Sequence, residues 1–192
     1  MTVRRIALEV VTAEQSQAFR FGRPAQRAPH APALRGAFLV AERSGRATFF
    51  ALEDYAGLWK ELRRADEVIT WNGNHVALLV LRRLYGARHF PITREHVGLA
   101  WGRHIDLCAV IESERRLTHR ISLAKAVKCT FGDDAGPPSP DRPRKPALGE
   151  RIQRAHTAAE RIMRLWRAYR SGDGLSLQGG PTLFHPGNAQ KY

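Results

Sequence analysis

Ala65-Asp66-Glu67-Val68-Ile69-Thr70-Trp71-Asn72-Gly73-Asn74-His75-Val76-Ala77-Leu78-Leu79-Val80-Leu81 is the run that decides the fold. Residues 68–71 read as a short buried strand, Asn72-Gly73 as a turn, and the apolar stretch from Asn74 as a helix with Asn74 as its N-cap. A strand, a tight turn and a helix in immediate succession belong at the lip of an α/β sheet. Upstream, residues 52–65 carry Tyr55, Leu58, Trp59 and Leu62 at helical spacing. Before them, residues 37–42 and 47–51 run apolar around Ser44-Gly45, a hairpin signal. Residues 3–11 read as the first strand, 17–21 as a second that pairs with it, and the proline-bearing stretch 22–35 as a surface loop. The order is antiparallel strands, then a helix, then a further strand.

Several segments in this order resemble the DEDD 3′–5′ exonucleases of the RNase H-like superfamily, in particular predicted bacterial exonuclease domains. Arg5-Ile6-Ala7-Leu8-Glu9-Val10-Val11-Thr12 resembles the family's first strand, which carries Asp-x-Glu followed by Thr; Ala7 stands at the Asp and Glu9 keeps the Glu. Asn72 matches the Asn of the second motif, whose aromatic-Asp pair falls on Val76-Ala77. His104-Ile105-Asp106-Leu107 is similar to a recurring Asp-Leu at a helix start. Arg120-Ile121-Ser122-Leu123 with Thr130-Phe131-Gly132 is similar to a Ser-Leu helix that ends in Leu-Gly. The last motif, Tyr or His and then Asp on one helix, falls on His156 and Glu160. The resemblance implies an α/β fold, an RNase H-like mixed sheet with three antiparallel N-terminal strands and then a parallel strand, flanked by helices. It covers residues 1–177 as one domain, with a Pro/Arg-rich loop at 132–149 and a C-terminal extension at 178–192.

It also implies a damaged reaction centre. Two-metal phosphodiester cleavage needs carboxylates converging on two hard cations. Of four expected acids, two are alanine (Ala7 and Ala77), one is Glu9 and one is the longer Glu160. An alanine donates nothing to a metal. The first expectation is a catalytically degenerate exonuclease-like domain with no cofactor, a nucleic-acid-binding or scaffolding subunit of a nucleoprotein complex with other protein subunits. A second is an active exonuclease in which Glu9, Asp106 and Glu160 hold Mg²⁺ or Mn²⁺ in a rearranged site. A third is a protein-interaction scaffold whose charge is incidental.

Charge points to nucleic acid, DNA or RNA, without the family. The 192 residues hold 31 Lys+Arg against 18 Asp+Glu, a formal charge of +13 that attracts polyanions. Arginine dominates the cations, and its planar fork suits phosphate oxygens; an arginine-rich composition is equally the mark of a GC-rich genome. Arg142, Arg144 and Lys145 lie in the loop, and Arg151, Arg154, Arg161, Arg164, Arg167 and Arg170 recur along a long helix read over 150–171. Like charges at such spacings destabilise an isolated helix by a few tenths of a kcal/mol per pair, so a compensating anion is expected, either a nucleic-acid backbone or acids of the chain itself.

The remaining signals are bland. His156 and Glu160 share a helix turn, a spacing for a metal or a hydrogen bond. His104 and Asp106, two apart on a helix, would diverge. Phe49-Phe50, Trp59 and Trp71 read as core rather than as base-stacking rings. Cys108 and Cys129 read as free thiols, since no zinc spacing surrounds them. No run reaches the roughly 18 apolar residues of a membrane span, and no signal-peptide core opens the chain, so cytoplasmic residence is expected.

Overall fold

The structure, a computed structural model, describes residues 3–12, 34–73, 77, 78, 80, 81, 84, 103–115, 121–132 and 146–172. Five strands form one sheet: β1 (Arg5–Thr12), β2 (Leu34–Ala41), β3 (Ala47–Ala51), β4 (Glu67–Thr70) and β5 (Arg103–Asp106). Their order is β3-β2-β1-β4-β5. β2 pairs antiparallel with both β1 and β3, whereas β1, β4 and β5 run parallel to one another. This is the mixed sheet expected from the sequence.

The alternation of side chains along β1 sorts the core into two layers. Ile6, Leu8 and Val10 face one side, where they meet Leu58 and Leu62 of α1 (Tyr55–Arg64), together with Ala77, Val80 and Leu81 of the following helical stretch. Ala7 and Val11 face the other side. There they meet α2 (Leu107–Arg115), α3 (Leu123–Phe131) and above all α4 (Leu148–Ser171), through Ala155, Ala159, Ile162, Met163 and Trp166. Small residues at 155 and 159 let α4 lie close on β1 and β2.

Local chemistry explains the element ends. Asp54, after a 3-10 turn at Leu52–Asp54, caps α1 by accepting from the Gly57 amide at 3.1 Å. Ser122 does the same for α3 through Lys125, and Gly132 closes that helix in the left-handed region at φ 70°. The Ser44-Gly45 hairpin is present, with the Gly45 amide bonded to Ala41 O at 2.9 Å.

Two readings are corrected. The segment 22–35 does not stay a loop to its end, because β2 begins at Leu34 and supplies the antiparallel partner of β1. His104 is not at a helix start but within β5, and α2 begins after Asp106. The strand expected at 17–21 and Asn74 lie outside the described residues, as do the loop core at 133–145 and the extension 178–192. Cys108 is buried, Cys129 is half-buried, and both are free thiols. Among the described residues no helix is long and apolar enough to cross a membrane.

Candidate functional site

One rung of the sheet gathers the residues with chemical capacity. The hairpin sets the register of β2 on β3, opposing Phe38 to Phe49, and β1 on β2 opposes Glu9 to Phe38. Glu9, Phe38 and Phe49 therefore stand side by side across three strands on the face covered by α4. From α4, the His156 ring stacks on Phe38, with centroids 5.0 Å apart and planes 30° apart. His156 Nε2 lies 3.4 Å from Glu160 Oε1. Two of the anticipated acids thus share one neighbourhood, linked through Phe38 and His156, and Glu160 is exposed there.

Glu9 sits between the aliphatic Ala7 and Val11 on its own strand. It keeps some surface, but protein encloses its carboxyl so closely that burial pushes it up to about 8, with no opposing charge to hold it down.

Asp106 is engaged elsewhere. Strand alternation turns it, with His104, away from Ile105, which faces α4. Its Oδ1 accepts from the Asn72 amide at 2.8 Å and the Ala109 amide at 3.4 Å. The carboxylate therefore fastens the turn after β4 and caps α2. His104 Nε2 and Thr70 Oγ1 share a hydrogen bond of 2.9 Å beside it. Burial lowers the His104 pKa, and the Asp106 charge opposes that shift. The reading that His104 and Asp106 diverge is corrected here, because two residues apart on a strand share a face. Asn72 takes the left-handed backbone at φ 56°, and Gly73 must lack a side chain because a Cβ would meet Thr70 Oγ1 at 2.0 Å.

The donors among the described residues do not fit two metals. Among the described residues no group of three or more His, Cys, Asp or Glu could hold an ion. Ala7 lies on the Glu9 face, fully buried, whereas Ala77 packs in the core on the opposite face.

The α4 arginines are largely occupied within the chain. Arg151 donates to Pro146 O at 2.9 Å and to Thr12 O at 3.2 Å. Arg164 lies 3.8 Å over the Phe131 ring. Arg167 donates to Glu42 O, and Arg170 pairs with the Glu42 carboxylate at 3.5 Å. The Glu42 carboxylate, which also pairs with Arg5, thus answers one of the helix arginines. Arg154 is exposed and Arg161 half-buried. Arg142, Arg144 and Lys145 lie outside the described residues. Sequence reasoning missed the rung itself. Phe49, read as core, is 38% exposed, and counting back from Ser44-Gly45 would have set it opposite Phe38.

No family model matches the chain. No curated protein matches it either. Among solved structures 32 chains do. One is the family B DNA polymerase from the hyperthermophilic archaeon Pyrobaculum calidifontis, with a TM-score of 0.59 and 15% identity. The match covers 88% of this chain and 25% of the polymerase chain. The fold is RNase H-like. At that identity the likeness concerns the fold alone, and this chain spans about a quarter of the polymerase's length.

Proposed function

We propose that this RNase H-like domain binds nucleic acid without cutting it, as a catalytically degenerate relative of the 3′–5′ exonucleases that holds DNA or RNA within a nucleoprotein complex. The observation that carries the reading is where the three candidate acids, Glu9, Asp106 and Glu160, stand. Glu9 lies on the sheet face under α4, where burial favours its neutral form, Asp106 is bonded to two backbone amides on the other face, and Glu160 lies exposed beside His156. A hydrolytic centre needs ionised carboxylates facing one point. The formal charge of +13 supports a polyanionic ligand, as does the structural likeness to a DNA polymerase.

Titration of fluorescent single- and double-stranded DNA and RNA at two salt concentrations tests the binding half. Affinity should fall steeply with salt, because each neutralised phosphate releases counterions. Absence of affinity for every oligonucleotide at low salt would reject the reading and favour a protein-interaction scaffold.

A further inference from the structure

The Glu9-Phe38-Phe49 rung ends in an aromatic surface. Phe49 sits on β3, the edge strand of the sheet. Its ring packs over Gly36 of β2, where a Cβ would come within 2.6 Å of two ring carbons. Glycine at 36 therefore makes the seat that lets the ring lie against the sheet. The same ring meets Phe38 with centroids 4.9 Å apart and planes tilted by 40°. Phe38 in turn stacks on His156, which leaves three rings in series from the sheet edge to α4. The middle ring is buried, but Phe49 is 38% exposed and the His156 side chain 31% exposed.

A ring seated on the edge strand and still 38% exposed gains free energy when an apolar or aromatic group covers it. Two features bear on what the cover is. The chain carries a charge of +13, which draws polyanions. The rim of the rings offers the His156-Glu160 pair, a directional hydrogen-bonding group suited to the polar edge of a flat heterocycle. A nucleobase offers both a π face and a polar edge, and only an unpaired base can present its face to a ring.

We infer that Phe49, backed by Phe38 and His156 over Gly36, is a stacking platform for an unpaired base of single-stranded nucleic acid. The inference rests on the nucleic-acid reading above and adds the strand state of the ligand and the point of contact. Phosphate contacts elsewhere supply the salt-dependent part of affinity, and the platform supplies a part independent of salt.

The test is binding of labelled single-stranded and duplex oligonucleotides of equal length by the full chain and its Phe49→Ala, Phe49→Leu and Phe49→Trp variants. Phe49→Leu keeps the apolar packing over Gly36 and removes the aromatic face, so it separates stacking from folding. Single-strand affinity should fall about 5- to 100-fold in Phe49→Ala and Phe49→Leu. It should survive in Phe49→Trp, while duplex affinity and the slope of affinity against salt stay unchanged. Unaltered single-strand binding in Phe49→Leu, with the parent chain binding normally, would overturn the platform and leave the nucleic-acid reading standing. Equal losses on single strands and duplexes would also overturn it. A parent chain that binds neither would overturn both.

Discussion

The sheet carries two polar regions that are organised in opposite ways. At the ends of β4 and β5, Thr70, His104, Asp106 and the amides of Asn72 and Ala109 bond to one another, and the Asp106 carboxylate serves two amides at once. On the rung across β1, β2 and β3, Glu9 meets no compensating charge, and Phe49 shows its ring to water. The first region spends its polar groups on holding a turn and a helix start. The second leaves the Phe49 ring and the His156-Glu160 pair partly exposed. Acid content alone therefore misleads, since the carboxylate engaged by two amides is architecture and the rung with fewer internal bonds is the better candidate for contact with a ligand.

Removing the acceptor from the saturated region should have the largest effect. Asp106→Ala leaves two amides without their partner and uncaps α2, at a cost of about 2–5 kcal/mol in urea unfolding. A variant as stable as the parent would show that Asp106 is not architectural and blur the contrast between the regions.

The open region should answer to pH. Glu9 holds its proton up to about 8 in the folded chain against an ordinary 4.5 when unfolded. The stability tied to that proton is complete below about pH 4.5 and falls as pH rises toward 8, because the unfolded chain ionises first. Glu9→Gln should remove this slope and stabilise the chain by up to about 4–5 kcal/mol at pH 8.5, with little change at pH 4.5. Parallel stability-pH curves for the two proteins would contradict the desolvated carboxyl.

Gly73→Ala sharpens the contrast from the other end. The added methyl must push Thr70 off His104, costing about 1–3 kcal/mol, and thermal denaturation reads this directly. Arg170→Ala should matter least. Its pair with Glu42 is half-exposed, so a loss within about 0.5 kcal/mol is expected; a loss several times larger would make the Glu42 cluster a principal clamp of α4.

Much of this architecture was legible in the sequence. The apolar runs gave β1, β2 and β3, the helical spacing gave α1 and α4, and Ser122 and Gly132 marked the ends of α3. β5 was not legible because Arg-His-Ile-Asp is four residues long with one apolar side chain, and period-2 patterning needs more than that to register. The resemblance placed Glu9, Asp106 and Glu160 as possible partners, but sequence spacing does not tell which sheet face each takes. Strand alternation separates Asp106 from Glu9 once the pairing is known. Phe49 was misread for a similar reason, since neighbours in a strand take opposite sheet faces, and on the edge strand Phe50 is buried while Phe49 stays 38% exposed. The arginines of α4 looked like a single basic face because the groups that engage them, the Glu42 carboxylate and carbonyl, the Thr12 carbonyl and the Phe131 ring, come from other parts of the chain.

The central claim, a nucleic-acid-binding domain without two-metal cleavage, is tested most directly by incubating the full chain with end-labelled single- and double-stranded DNA and RNA in Mg²⁺ and in Mn²⁺, with Glu9→Ala in parallel. The account predicts bound but intact oligonucleotides with both proteins and both ions. Metal-dependent shortening from the 3′ end by the parent chain, lost in Glu9→Ala, would contradict it and assign Glu9 to a working nuclease.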